Sequence, residues 1–253
     1  MPGYFPQSQP FIWDRRTWGA MEPTTNLPPL GPVTRVTVHH TVSTRKDPLV
    51  EIKDIQLYHI TKEPEPFSDI GYHYVIDRAE NIDGRDIYQG RKPQSDGGLS
   101  LGAHVAGHNT GNIGVAVLGN YDQEDLSPGQ QQVLEELLAW LSYKYDIPIH
   151  QIKGHRDLNV TDCPGDHIYD RLPALRENLV RRLYGIQVNP AYAPLPNGEV
   201  RIVINNKELK PSVPAFIKDG KTVAPLRDVA EALGQVVYFD DRSWTVYVQS
   251  PKG

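Results

Sequence analysis

His39 and His40 stand side by side, and a third histidine, His155, lies eight residues before Cys163, the one cysteine of the chain. Imidazole nitrogen and thiolate sulfur are donors that suit zinc, at roughly 2.0–2.1 Å and about 2.3 Å. The loop from His155 to Cys163 is long enough to fold back so that both meet one ion. A histidine at the end of a distant strand then supplies the third ligand. Three protein ligands leave a fourth position for water, the arrangement of a catalytic zinc site, whereas structural zinc takes four protein ligands and usually more cysteines. Spacing by itself leaves Cys163 as either a packed small hydrophobe or a working thiolate. Tyr72 by itself is a core tyrosine and Thr161 an ordinary loop residue. Asp157 either orients a ligand or caps its loop, and His59 and His150 read as surface histidines.

The elements that must position these groups follow from periodicity. Residues 33–39 alternate valine with Thr34, Arg35 and Thr37, a strand that delivers the histidine pair at its end. Asp47 as N-cap and Pro48 at the first position open a helix over 48–62, with Leu49, Ile52, Ile55 and Ile60 as its apolar stripe. Residues 71–76 read as a second strand, with Tyr72, Tyr74 and Ile76 on one face and His73 and Val75 on the other. Residues 82–88 pair with it, and residues 113–118 form a buried central strand. Ser127 and Pro128 open a long helix that ends near Asp146, and after a loop over 154–166 a last helix carries Leu175, Leu179 and Leu183 and stops at Gly185. The fold class is α/β, a mixed central sheet flanked by helices, with residues 1–32 as an extended arm pinned by Trp13 and Trp18.

The chain of 253 residues has room for a second domain. Pro190, Pro194, Pro196 and Gly198 mark residues 186–199 as a semi-rigid linker after a first domain over 1–185. Residues 200–253 read as a small α+β unit: a hairpin turning at Asn205-Asn206, a turn at Asp219-Gly220, a short helix over 225–234, and a closing hairpin around 240–243. The 31 acidic against 26 basic side chains leave a net charge of −5, which argues against a polycationic nucleic-acid clamp. With a mean hydropathy of −0.47 and no apolar run near the roughly 18 residues a membrane helix needs, no membrane insertion is expected. The first ten residues hold neither a basic start nor an apolar core, so synthesis in the cytoplasm without a signal peptide is expected.

Four blocks in order resemble the zinc N-acetylmuramoyl-L-alanine amidases, the family shared by phage amidases and peptidoglycan recognition proteins. They are Val38-His39-His40-Thr41, residues 71–76, Gly102-Ala103-His104-Val105 running through Asn109 to residues 112–115, and Gly154-His155-Arg156-Asp157 with Cys163-Pro164. Residues 16–20 also resemble the family's start. The resemblance implies one zinc ion held by His39, His155 and Cys163, with Tyr72 as a catalytic residue and His40 lining the cleft. At the position two before the cysteine, lysine in some phage enzymes, this chain has Thr161, which implies a hydroxyl as oxyanion partner. His104 and Asn109 match positions that contact the muramyl peptide in relatives. The implied reaction is hydrolysis of the amide between N-acetylmuramic acid and L-alanine in peptidoglycan, in a monomeric phage or prophage endolysin that reaches the wall after release. The competing expectations are a peptidoglycan-binding recognition module that does not cut, and an interaction protein with structural zinc. Asp157, Asp162 and a second water all stay open as proton donors to the leaving amine. Residues 220–234 resemble the small domain named after the amino-terminal part of copper amine oxidases. No histidine or cysteine follows His167, so that unit offers no usual soft metal ligands, and its expected role is wall attachment or spacing.

Overall fold

A computed structural model of the chain describes residues 5–43, 47–78, 87–184, 199–204, 207–218, 221–240 and 245–249. The chain divides into two compact units, Met1–Gly185 and Ile186–Gly253. The first is built on a six-stranded mixed sheet. Its strands are β1 (Ile12–Trp13), β2 (Arg35–His40), β3 (Tyr74–Ile76), β4 (Ile87–Gln89), β5 (Asn112–Val117) and β6 (Ile152–Gly154). The spatial order is β1-β4-β3-β5-β2-β6. Strands β3, β5, β2 and β6 run parallel, and β4 is antiparallel to β3.

Alternation along the strands gives each face its own core. Val36, Val38, Val115 and Val117 share one cluster with Leu134 and Leu138 of α2 (Pro128–Tyr145) and with Leu175 and Leu179 of α4 (Leu172–Tyr184). Val75, Tyr88 and Leu118 face the other way, against Ile52 of α1 (Pro48–Thr61), Ile70 and Trp18. Helix α1 starts where Asp47 accepts hydrogen bonds from the backbone N–H groups of Leu49 and Val50. Helix α2 starts in a reciprocal capping box between Ser127 and Gln130. Trp18 pins the N-terminal arm, buried and donating from Nε1 to the Gln89 carbonyl at 2.9 Å. Trp13 lies on the edge strand, partly exposed, with its ring edge-on to Phe11. A short helix α3 (Asp166–Tyr169) precedes α4.

The structure corrects one face assignment. Regular strand geometry begins only at Tyr74, so the alternation read from residue 71 onward fails, and Tyr72 packs with the Val75 cluster instead of with Tyr74 and Ile76. The cause is the close approach at Gly71, where a Cβ would lie 2.2 Å from the Ala103 carbonyl oxygen. The chain bends there before joining the sheet.

The second unit is α+β. Strands β7 (Glu199–Val200), β10 (Ala215–Lys218) and β11 (Lys221–Val223) form one antiparallel sheet. Strands β8 (Ile202–Ile204) and β9 (Lys207–Leu209) pair separately, as do β12 (Val236–Asp240) and β13 (Thr245–Gln249), with α5 (Leu226–Ala232) between β11 and β12. Several expectations lie outside the described residues: positions 82–86 of the strand before Ile87, the helix stop at Gly185, residues 186–198 of the linker, both expected turns at 205–206 and 219–220, and residues 241–244. No helix among the described residues is long and apolar enough to cross a membrane.

Candidate metal centre

The sheet register explains why two distant histidines meet. Strands β2 and β6 are parallel neighbours with Val38 opposite Gly154, so the residues that follow, His39, still paired with Ala116 of β5, and His155, just past the end of β6, stand side by side. Their ring centroids are 4.6 Å apart. Alternation also separates the two adjacent histidines. Val38 and His40 share the α2/α4 face, while His39 points to the α1 face. His40, expected to line the cleft, is 4 % exposed, and its Nδ1 accepts from the Tyr121 N–H at 3.3 Å. Its side chain is thus almost wholly enclosed by the protein.

The loop between the other two donors closes on itself. Arg156 N–H donates to the Cys163 carbonyl at 3.0 Å, and Cys163 N–H donates to Thr161 Oγ1 at 3.2 Å. Of the two roles open to Asp157, it caps: Oδ2 accepts from Gly154 N–H at 2.9 Å and Oδ1 from the Tyr169 hydroxyl at 2.6 Å. Cys163 Sγ comes to 3.5 Å from His39 Nδ1. One ligand atom from each of His39, His155 and Cys163 lies within 4.8 Å of the others.

The donor set fits zinc. Two ligands at the usual Zn–N and Zn–S distances on a tetrahedron are separated by about 3.6 Å, which the sulfur-to-imidazole distance matches. Burial, followed by repulsion from His104 and His155, holds His39 well below the ordinary imidazole range, and burial also lowers His155. Both are neutral, the form that ligates. Burial pushes the Cys163 thiol up to about 12. Without a cation its proton therefore stays on sulfur; a divalent ion replaces that proton outright.

Around the three donors, Tyr72 places its ring 5.1 Å from His39. Burial, and secondarily the Cys163 charge, pushes the phenol far above its ordinary range, so it remains a donor. His104 and Asn109, expected in the substrate groove, both hydrogen-bond within the protein. His104 is 8 % exposed, with Nδ1 at 3.0 Å from His39 Nε2 and Nε2 at 3.0 Å from the Asn112 carbonyl. Burial lowers it to about 3. Asn109 Oδ1 accepts from the backbone N–H groups of His104 and Val105, each at 2.9 Å, which holds the loop.

His59 is a second correction. It is half-buried, accepts from Gly71 N–H at 3.2 Å through Nδ1, and meets the Tyr72 ring edge-on at 5.6 Å. Burial lowers it to about 4. The signal was present in the sequence, since His59 falls on the helical stripe of Ile52 and Ile55. His150 is exposed, as expected.

Fold and site together define a mixed-sheet α/β protein with two imidazoles and one thiol converging at the carboxyl ends of parallel strands. Residues 29–166 match the family model described as N-acetylmuramoyl-L-alanine amidase, and residues 186–248 match that described as copper amine oxidase N-terminal domain. The chain is 28 % identical over 166 residues to peptidoglycan-recognition protein SC2 of Drosophila simulans, covering 64 % of this chain and 84 % of that one. Among solved structures it resembles the endolysin N-acetylmuramoyl-L-alanine amidase LysCS from Clostridium intestinale, with 27 % identity, a TM-score of 0.56, and coverage of 69 % of this chain and 98 % of that one. It also resembles peptidoglycan recognition protein LE, solved in complex with tracheal cytotoxin, a monomeric diaminopimelic acid-type peptidoglycan, at 25 % identity and a TM-score of 0.55 over 64 % and 92 % of the two chains. The chain belongs to the N-acetylmuramoyl-L-alanine amidase family.

Proposed function

We propose that the chain is a zinc-dependent amidase that hydrolyses the bond between the lactyl group of N-acetylmuramic acid and L-alanine in peptidoglycan. The observation that carries this is the convergence of His39, His155 and Cys163, with ligand atoms within 4.8 Å of one another. These three residues hold the ion. When bound, zinc supplies a Lewis acid that lowers the pKa of water toward about 7 and polarises an amide carbonyl. Tyr72 keeps its proton and donates it as a hydrogen bond to the oxygen on which charge develops. Thr161 Oγ1 is held by Cys163 N–H, which leaves the hydroxyl proton for the same oxygen. His40, His104 and Asn109 shape the walls of the site from inside. Asp157 is bonded to Gly154 and Tyr169, which removes it as proton donor to the leaving amine and leaves the exposed Asp162 or a water.

In this proposal residues 1–185 are the catalytic domain, and residues 200–253, joined by the linker 186–199, attach a monomeric enzyme to the wall. The likeness to an endolysin supports a phage or prophage origin, with synthesis in the cytoplasm and action on the wall after release. The likeness to recognition proteins favours a second reading, binding without cleavage. Digestion of purified peptidoglycan with and without a chelator separates them. Chelator-sensitive release of L-alanine amino termini without new reducing sugars is expected. Binding with no release supports recognition alone, and new reducing sugars contradict an amidase.

A further inference from the structure

His104 is a buried group at the wall of this site, and with its ring neutral its hydrogen bonds have only one consistent direction. The Asn112 carbonyl accepts and cannot donate, so His104 Nε2, 3.0 Å away, carries the ring proton. The lone pair of the neutral ring then lies on Nδ1, 3.0 Å from His39 Nε2. His39 must donate from Nε2, which places its own lone pair on Nδ1, the atom 3.5 Å from Cys163 Sγ. The ring is also built into its place. A Cβ on Gly102 or on Gly114 would come within 2.7 Å of His104 Cδ2, so both glycines are spaces the imidazole fills. It meets the His39 ring edge-on, at 5.1 Å and 90°.

We infer that His104 is a positioning residue for the metal centre: anchored on the Asn112 carbonyl, it locks His39 in the tautomer and ring orientation that offer Nδ1 to the cation. Metal-ligating histidines ordinarily give their second N–H to a carboxylate, carbonyl or water. Here a neutral imidazole takes that place and passes the constraint to a carbonyl through a second ring, without adding charge beside the ion. The inference rests on the metal centre proposed above, and its test separates the two.

The full-length wild-type chain, stripped of metal, is examined by two-bond proton–nitrogen NMR correlation of its histidine rings. His39 and His104 are both expected in the Nε2-protonated form; a His39 protonated at Nδ1 overturns the inference. Zinc affinity is then measured by competition with a chromophoric chelator. His104→Phe keeps a ring between the glycines and removes both nitrogens, and its zinc dissociation constant is expected to rise 10- to 100-fold. Gly114→Ala, which touches none of the three ligands but intrudes on the His104 ring, is expected to weaken zinc as well, and it carries the test should His104→Phe not fold. Wild-type affinity in both variants overturns the positioning role. A wild-type chain that takes up no zinc overturns the metal centre itself, and with it this role.

Discussion

Tyr72→Phe removes one oxygen and leaves the rest of the site in place, so its effect can be sized closely. The ring contacts at 5.1 Å to His39 and 5.6 Å to His59 persist in phenylalanine. Among the described residues none bonds the Tyr72 hydroxyl, so its loss breaks no hydrogen bond within the protein and should leave the unfolding temperature little changed. Removal of one oxyanion donor costs other hydrolases about 2.7–4 kcal/mol, a fall in kcat of roughly 10²–10³. The same loss is expected here, with KM nearly unchanged because the hydrogen bond strengthens only as charge develops. The assay follows release of L-alanine amino termini from a defined muramyl peptide, with zinc content and thermal unfolding measured on the same sample. Wild-type kcat in a zinc-loaded variant would refute the reasoning, and loss of zinc together with activity would show that Tyr72 acts through the metal instead of on the substrate.

Acid stability offers an independent check on the interior. His73 is 2 % exposed, donates from Nε2 to the Ser100 carbonyl at 2.8 Å and accepts from Gly114 N–H at 2.9 Å, and burial lowers it to about 4. Its folded value lies below the unfolded one, so its contribution is complete above about pH 6.5 and is lost as pH falls toward about 4, by up to ~1.4 kcal/mol per unit. His73→Gln reproduces both hydrogen bonds without titrating, and urea unfolding between pH 7 and 5 should show a shallower decline than wild type; equal slopes would contradict the assignment. A chain lacking residues 186–253 is expected to cleave soluble muramyl peptide normally but to sediment poorly with cell walls, whereas unchanged sedimentation would leave the second unit as a spacer.

The strands and helices were legible because their signals are local. Alternating valines marked β2, and Asp47-Pro48 and Ser127-Pro128 marked the starts of α1 and α2 where the caps now stand. The pairing of Val38 with Gly154, which brings His39 to His155, is a long-range register that no local pattern encodes, and only the ordered motif blocks pointed to it. The surroundings of the histidines are equally non-local. Where His104, His40 and His59 sit depends on what packs over them: Gly102 and Gly114 around His104, Tyr121 on His40, and Gly71 on His59. A glycine inside the apolar strand β5 was itself a hint of such close approach. Strand periodicity carried back through the bend at Gly71 places Tyr72 on the wrong face, because regular strand geometry begins only at Tyr74.

The convergence of three side chains on one ion is tested most directly by zinc K-edge X-ray absorption of the full-length protein purified without added metal. One sulfur at about 2.3 Å and two imidazole nitrogens at about 2.0–2.1 Å are expected, with the sulfur shell absent in Cys163→Ala. Zinc bound without sulfur in the wild-type protein, or the same spectrum from the variant, would contradict the account.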